Sequence, residues 1–144
     1  METTTPTWFA EPTLGRRLAA RLLDGLVLAP AVALGLLLDP WARLVFVGMI
    51  NGAYDILLVA RDGQTLGKRW MGLRVVTIDG GHVPTLEQAA MRWVVPEVAS
   101  VGELAVGGLG LLLSLAVYLP VLKGPLHRGL HDHAAGTVVT ASRR

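Results

Sequence analysis

The sequence predicts an all-α membrane protein, namely a four-helix transmembrane bundle made of two helical hairpins, with a small cytoplasmic β element. Hydrophobic residues make up 52% of the 144 residues and charged residues 17%, and the mean hydropathy is +0.51. This is more apolar than the core of a soluble domain requires. Nearly uninterrupted apolar stretches cover residues 22–38, 44–60 and 104–122. A hydrocarbon layer about 30 Å thick takes about 20 helical residues, so each stretch can cross it once its flanks are counted.

The first two helices are predicted from their end signals. Thr13 is a favoured N-cap residue for the first, and Asp39 followed by Pro40 supplies an N-cap and a first-turn proline for the second. Gly63 can take the left-handed conformation that ends a helix. The four helices are predicted at residues 14–38, 40–60, 86–99 and 101–122, between a flexible N-terminal tail at 1–12 and a C-terminal tail at 141–144, so that residues 13–140 form one transmembrane domain.

The second pair of helices is predicted from two capping boxes. Thr85 is followed three residues later by Gln88, and Ser100 is followed three residues later by Glu103. The second box predicts a break near Ser100 and therefore an outer turn. A third helix that ends before this break is only about 21 Å long, so it is expected to cross with little tilt, to thin the bilayer, or to enter the membrane partway.

The predicted cytoplasmic loop, residues 61–85, contains a β element. Residues 73–78 are rich in β-branched side chains and precede an Asp-Gly-Gly turn, and residues 137–140 have the same character near the C-terminus. We expect the two segments to pair as strands and to pack against the bundle, since an isolated pair of strands is marginal in water.

The distribution of basic residues predicts the orientation in the membrane. Of the thirteen Lys and Arg residues, three precede the first apolar stretch, five lie between residues 61 and 92, and four follow residue 122. Only Arg43 lies between the first and second stretches. By the positive-inside rule, both termini and the central loop are cytoplasmic, which requires an even number of crossings.

Charged residues within the helices predict a polar cluster. Asp24, Asp55 and Arg92 come out at a similar depth on three helices, and a charge at membrane depth costs about 2.5 to 3.5 kcal/mol on insertion scales. One interpretation is structural, with Arg21 and Arg92 neutralising the two aspartates. The other is an ion or proton pathway in which a desolvated aspartate titrates. The predicted intramembrane cluster comprises Arg17, Arg21, Asp24, Asn51, Asp55 and Arg92.

Other chemical classes find little support. The chain has no cysteine, its Gly63 to Lys68 segment lacks the Walker A spacing, and no hydrolytic motif occurs, so we expect neither an enzyme nor a cofactor. His127, His131 and His133 suggest a metal site, but the segment contains a proline and two glycines, and Asp132 capping a backbone turn is the simpler interpretation. The basic loop suits anionic lipid headgroups better than nucleic acid.

Several segments together resemble the RDD family of small bacterial membrane proteins. They are GRRLAARLLD at residues 15–24, GQTLGKRWMGLRVV at 63–76, the Met91-Arg92 pair, and LHDHAAGTVV at 130–139. The resemblance runs from about residue 13 to 140 and implies a multi-pass protein of the bacterial plasma membrane. It matches the family's arginine and two aspartates to Arg17, Asp24 and Asp132. The cytoplasmic motif residues are Gly63, Gln64, Thr65, Gly67, Lys68, Gly72, His131, Asp132, Gly136 and Thr137.

Two functions follow as hypotheses. The first is a small transporter for ions or protons that uses the Asp/Arg cluster. The alternative is a non-transporting membrane subunit or scaffold that docks a partner through the cytoplasmic loop and the C-terminal strand. Four short helices enclose little volume, so we expect a homo-oligomer or a membrane protein partner in addition to the lipid bilayer.

Overall fold

The computed structural model describes residues 8–106, 122 and 126–142, without the side chains of residues 99–106. The fold is mostly helical, with one small pair of strands. Its elements in chain order are α1 (Leu14–Gly35), α2 (Pro40–Asp62), α3 (Leu66–Trp70), β1 (Leu73–Thr77), α4 (Leu86–Val106), α5 (Leu130–Ala135) and β2 (Thr137–Ala141).

The hairpin of α1 and α2 forms with the predicted end signals. The Thr13 side chain accepts a hydrogen bond from the Arg16 N–H, and the Asp39 carboxylate accepts the first two free N–H groups of α2. Gly63 ends α2 at φ 68°, in the left-handed region. These predictions are confirmed, with α2 extending two residues beyond the predicted end.

Helix α1 ends at Gly35 instead of residue 38. The Arg43 guanidinium donates to the Gly35 carbonyl oxygen at 3.1 Å, and a side chain at Gly35 would come within 2.8 Å of Val47. The two helices therefore approach each other closely at Gly35, and the chain needs the next residues to turn.

Both helices of this hairpin are long and apolar enough to cross a membrane. α1 has 22 residues and α2 has 23, and only 17% and 22% of the residues in their most apolar parts are buried. The core helix of a soluble protein would be mostly buried, so exposure of these apolar faces favours contact with lipid.

The predicted helix break at Ser100 is wrong, because α4 continues through this residue. It is continuous over 21 residues, or about 32 Å, and passes through Ser100 to Val106. A Ser and Glu three residues apart cap a helix only where the chain enters it, and the apolar residues on both sides allow the backbone ladder to continue. The capping box at Thr85 is confirmed, since Thr85 and Gln88 exchange hydrogen bonds of 3.0 and 3.2 Å. Of the predicted fourth helix, residues 107–121 lie outside the described part of the chain.

The predicted strand pairing is confirmed. β1 and β2 are antiparallel, and Val75 lies opposite Val139. Side chains of the two strands, including Leu73 and both valines, form one buried cluster with Ala20 of α1, Val59 of α2 and Ala89 of α4. The sheet is thus fixed against the ends of three helices, as a sheet of two strands requires.

Two short segments depart from the predictions. The tail predicted to be flexible is packed at residues 8–12: Phe9 is buried against Val76 and Val138, and Ala10 exchanges hydrogen bonds with Thr140 and Ala141. Residues 1–7 lie outside the described residues. The predicted loop contains α3, which begins after Thr65 as its N-cap.

Candidate functional site

Buried polar side chains collect where the sheet and α3 meet the ends of α1, α2 and α4. We call this group the buried polar layer. Its members, each at most 7% exposed, are Asp24, Asp55, Thr65, Lys68, Arg92, His131, Asp132 and Thr137. Buried ionised groups require partners, so the layer is defined by how these side chains pair.

Asp24 of α1 is bound by three donors. Its Oδ1 accepts hydrogen bonds from the Tyr54 hydroxyl at 2.7 Å and the Gly67 N–H at 2.8 Å, and its Oδ2 accepts one from the Thr65 hydroxyl at 2.7 Å. Tyr54 in turn accepts the N–H of Leu66 at 3.0 Å. A carboxylate at the free N–H groups of a helix start is favourable. Asp24 therefore fixes α3 on the bundle.

Asp55 of α2 pairs with Lys68 of α3. The Lys68 Nζ lies 3.6 Å from Asp55 Oδ1 and 3.2 Å from the Thr65 hydroxyl. Burial lowers the pKa of Lys68 to about 8; the Asp55 charge opposes this shift, whereas Arg21 and Arg92 add to it. The ammonium therefore has a proton that it can release near neutral pH.

Arg92 of α4 pairs with Asp132 of α5. The structure therefore differs from the predicted cluster, in which Arg92 pairs with Asp24 or Asp55. The two side chains form a buried ion pair, and the Thr137 hydroxyl donates to Asp132 at 3.2 Å. Asp132 also accepts the Gly129 N–H at 3.3 Å, which caps α5. Burial raises the pKa of Asp132, but the Arg92 charge and these contacts outweigh it, so the pKa lies below its ordinary value.

The adjacent arginines of α1 bind backbone carbonyls. Arg16 donates to the Met71 carbonyl at 2.5 and 3.1 Å, in the turn between α3 and β1. Arg17 donates to the carbonyls of His127 at 2.5 Å and Val139 at 3.1 Å. Arg17, predicted within the intramembrane cluster, thus joins α1 to the C-terminal segment.

Asn51 lies apart from the buried polar layer. It lines a cavity of about 230 Å³ between α1 and α2, whose other walls are Gly25, Leu28, Ala31, Val32, Val47 and Ile50. Helix α4 packs against the small residues on the same face of α2. A Cβ atom on Gly52 would lie about 3 Å from the Trp93 ring, and a Cβ atom on Gly48 would lie about 3 Å from the Glu97 carboxylate. Helices α2 and α4 therefore approach each other closely at the two glycines.

The cytoplasmic motif residues support the layer through their backbone. Gly72 and Gly136 have φ values of 62° and 63°, which favour glycine, and the Gln64 side chain donates to the Leu73 carbonyl at 2.7 Å. Gly67 has no room for a side chain, because a Cβ would overlap the Ala20 carbonyl oxygen. Sequence reasoning missed Tyr54, because its partner is Asp24 on the neighbouring helix, 30 residues away, and not the adjacent Asp55.

The three histidines at residues 127–133 have different surroundings. His127 pairs with Glu11, the His133 Nδ1 lies 2.9 Å from the Gly129 carbonyl oxygen, and His131 is buried with its Nε2 3.5 Å from Asp132. Among the described residues, no group of three or more His, Asp or Glu side chains is placed to bind a metal ion.

Acid should destabilise the fold through His131. Burial and the Arg92 charge lower the pKa of His131 to about 3, from 6.5, although Asp132 opposes the shift. Between these values the unfolded chain binds a proton that the folded protein does not, so the free energy of unfolding should fall as pH falls from about 6.5 towards 3. Denaturant unfolding in detergent at several pH values measures this slope. His131→Gln should flatten it, and His82→Gln, at an exposed loop position, should not; equal slopes in all three proteins would contradict the assignment.

Comparisons with known proteins identify the family of this chain. Residues 11–136 match the RDD family. The chain is 35% identical over 132 residues to the "Uncharacterized protein YckC" of Bacillus subtilis, covering 86% of this chain and 80% of that protein. It is 27% identical over 135 residues to an "Uncharacterized protein" of Haemophilus influenzae, covering 93% of this chain and 80% of that one. No solved structure gives a significant match.

The family match covers most of the chain, and it includes both apolar helices and every member of the buried polar layer except Thr137. It also agrees with the resemblance carried by Arg17, Asp24 and Asp132, which the structure places in three separate sets of contacts. The chain therefore belongs to the RDD family, a family of membrane proteins.

Proposed function

We propose that this protein is a multi-pass transporter for protons or small ions, with Asp55 as the carboxylate that binds the transported ion. The observation that supports it is the buried ion pair of Asp55 and Lys68 beside two apolar, membrane-length helices. A charged pair at this position is expensive, and ionisable residues at membrane depth mark ion pathways, whereas a buried ion pair is weak evidence of a gain in stability. No enzymatic step or cofactor is part of the proposal.

The helix lengths set the depth of Asp55. It lies fifteen residues from Pro40, the first residue of α2, and so about 22 Å from the outer end of that helix. A hydrocarbon layer about 30 Å thick then leaves about 8 Å between Asp55 and the cytoplasmic boundary. The loop that carries α3 reaches the same depth, where irregular backbone is tolerated if it is buried in protein or lines an aqueous cavity.

Asp55 suits a transport role better than Asp24. Asp24 is bound by three hydrogen bonds of 2.7 to 2.8 Å, which hold its carboxylate in place and favour a structural role. The contact of Asp55 with Lys68 is 3.6 Å, beyond hydrogen-bond distance, so it depends on charge and can be replaced by another cation.

Removal of the Asp55 carboxyl should abolish flux. Purified protein in liposomes with an enclosed pH-sensitive dye would be given inward gradients of sodium, lithium or potassium. Asp55→Asn keeps the side-chain shape but cannot exchange a proton, so we expect at least a tenfold loss of dye response at equal reconstitution. Asp62→Asn, at the half-exposed end of the same helix, is the matched control. Full flux through Asp55→Asn, or none through the unaltered protein, would contradict the proposal.

We further propose four crossings, with both termini cytoplasmic in the plasma membrane of a bacterium. Cysteines introduced by Gly80→Cys and Ser142→Cys should resist an impermeant thiol reagent added to intact cells. Leu37→Cys should react, because Leu37 is 82% exposed in the turn that would face outside. The chain has no other cysteine to confuse the labelling. Rapid labelling of Ser142→Cys in intact cells would require an odd number of crossings.

We propose two kinds of partner for this protein. One is the lipid bilayer, and the other is either a second copy of the chain or another membrane protein. Exposed Arg61, Arg69 and Arg74 with the exposed ring of Trp70 lie on the loop side, a combination suited to anionic headgroups. Four short helices enclose little space, which favours a homo-oligomer.

The alternative function is a scaffold that docks a partner through the cytoplasmic loop and β2. The exposed Trp70, 61% accessible on α3, favours it. A partner would have to bind such side chains, because carbonyls on the outer edges of β1 and β2 already accept hydrogen bonds from Gln64, Arg17 and Arg128. Intact protein that binds a partner through Trp70, with no flux for any cation, would select this alternative.

A further inference from the structure

We propose that Glu97 of α4 is a proton-binding carboxyl at the middle of the membrane, and that the Trp93 indole N–H stabilises its ionised form. The site is separate from Asp55 and from the buried polar layer. It rests on the proposed function in one respect, namely that the bound proton serves transport.

The helix lengths place Glu97 near the centre of the membrane. Because α4 does not break at Ser100, Glu97 lies within the helix, eleven residues and so about 16 Å from Leu86 at the cytoplasmic end. Its carboxylate contacts α2 at Gly48, which is eight residues and so about 12 Å from Pro40 at the outer end. Together the two distances nearly equal a hydrocarbon layer of about 30 Å, so both helices give the same depth.

Helix α2 presents no charge to this carboxyl. The contact is with Gly48, and the nearest charged residues along α2 are Arg43 and Asp55, which are five and seven residues away from that glycine. Among the described residues, no Lys, Arg or His side chain forms an ion pair with Glu97. The face of α2 opposite Glu97 is therefore uncharged.

The other neighbours of α4 are also distant or already paired. Besides α2, α4 packs against α5, in which Asp132 pairs with Arg92 and His131 is buried beside Asp132. Arg92 is five residues nearer the cytoplasm than Glu97, and Glu103 is six residues farther out. A carboxyl at this depth without an opposite charge is favoured in its neutral, protonated form.

A hydrogen-bond donor without an acceptor lies one helical turn away. The Trp93 Nε1–H is buried and has no partner among the described residues. Trp93 and Glu97 are four residues apart on one face of α4, and a helical side chain leans towards the residue four positions before it. The Trp93 Cε2 atom, which is bonded to Nε1, would lie 3.0 Å from a Cβ atom on Gly52, so this edge of the ring also faces α2. An unused buried donor is costly, and a Glu97 carboxylate is an acceptor within one turn of it.

These two features suit the two forms of the carboxyl. In the protonated acid, no net charge lies between α2 and α4. On release, the O–H bond breaks, the electron pair stays on oxygen, the proton passes to water, and the Trp93 N–H donates to the anion. Asp55 and Gly48 lie on the same buried face of α2, so Asp55 and Glu97 meet one helix contact at different depths. This arrangement allows a proton at Glu97 to be coupled to an ion at Asp55.

The test labels the full-length protein in liposomes with dicyclohexylcarbodiimide, an apolar reagent that reacts with protonated carboxyls inside a membrane. The acid proton passes to a nitrogen of the reagent and the carboxyl oxygen bonds to its central carbon, so one whole reagent molecule is added. Mass spectrometry of peptides locates it. We expect addition at Glu97, at a rate that falls at least tenfold between about pH 6 and pH 9 as the proton leaves. Glu87, exposed at the start of the same helix, should not react.

Two substitutions separate the carboxyl from the donor. Glu97→Gln should keep the melting temperature, because a neutral amide replaces a neutral acid, and should lose the label and at least tenfold of the flux. Trp93→Phe keeps an aromatic ring but has no N–H, so the pH of half-maximal labelling should rise by about one unit. Trp41→Phe, at the exposed outer end of α2, should leave that pH unchanged.

The outcomes distinguish this inference from the proposed function. No addition at Glu97, addition at the same rate at every pH, or full flux in Glu97→Gln would overturn the inference, while a loss of flux in Asp55→Asn would leave transport standing. Addition that depends on pH in a protein without flux would support the proton site and overturn transport. An unchanged labelling profile in Trp93→Phe would overturn the role of the indole N–H. Should that variant fail to fold, the profile of the unaltered protein still decides whether Glu97 binds a proton.

Discussion

Arg92→Met should lower the free energy of unfolding by about 3 to 5 kcal/mol, the cost of leaving one member of a buried ion pair without its partner. Arg92 is 3% exposed and Asp132 is 1% exposed, so water cannot replace the missing guanidinium. Urea unfolding in detergent, followed by tryptophan fluorescence, measures the loss. Arg61→Met is the matched control, because Arg61 belongs to an exposed pair at 3.8 Å with Asp62 and should contribute little.

A second substitution tests the cause of that loss. Asp132→Asn removes the unpaired charge and keeps one of the two oxygens that accept hydrogen bonds from the Thr137 hydroxyl and the Gly129 N–H. Added to Arg92→Met, it should therefore recover part of the lost stability, giving a coupling energy well above zero in a double-mutant cycle. Additive effects, or an Arg92→Met protein as stable as the original, would show that the pair does not support the fold.

Gly67→Ala should be as damaging as the loss of the ion pair, although it adds a single methyl group. The new Cβ would overlap the Ala20 carbonyl oxygen and lie 2.8 Å from Asp24 Oδ1. A backbone carbonyl in the middle of α1 cannot move without breaking that helix, so α3 must move away, and Thr65 and Gly67 lose their hydrogen bonds to Asp24. We expect a loss of about 3 kcal/mol or more, by overpacking and by the loss of two of the three donors to the Asp24 carboxylate.

The control for this prediction is Gly25→Ala on α1, next to Asp24. A Cβ there meets nothing within 4 Å, and alanine is about 1 kcal/mol more favourable than glycine inside a helix, so this variant should be neutral or slightly more stable. Thermal unfolding followed by tryptophan fluorescence compares the two variants. If Gly67→Ala were also neutral, the close seating of α3 on α1 would be wrong.

The local parts of this fold could be predicted from the sequence because short-range chemistry determines them. Helix ends are determined by contacts within a few residues, as at Thr13, Asp39 and Gly63. The β-branched composition of the two strands predicts that they pair. The box at Ser100 failed for the same reason, since a local pattern cannot tell whether the chain enters a helix there or is already within one.

The partners in the buried polar layer could not be predicted in this way. Arg92 and Asp132 are 40 residues apart, and their pairing depends on where α5 is placed by the sheet. The cluster of Asp24, Asp55 and Arg92 was predicted from their similar depth along three helices. Depth does not show which way a side chain points around the helix axis, or which side chains a loop contributes. Lys68 and Thr65, from a segment predicted to be a loop, therefore became the partners of the two aspartates.

The contacts of Arg16 and Arg17 bear on how this protein can change over evolutionary time. Both guanidinium groups bind main-chain carbonyls, which every residue type presents equally. A change of side chain at Val139 or Met71 therefore leaves the acceptor in place, whereas no other side chain reproduces the fork of an arginine. In a saturation mutagenesis experiment, Met71 and Val139 should tolerate substitutions, whereas Arg16 and Arg17 should not. Covariation between aligned sequences should therefore not reveal these contacts between α1 and the sheet.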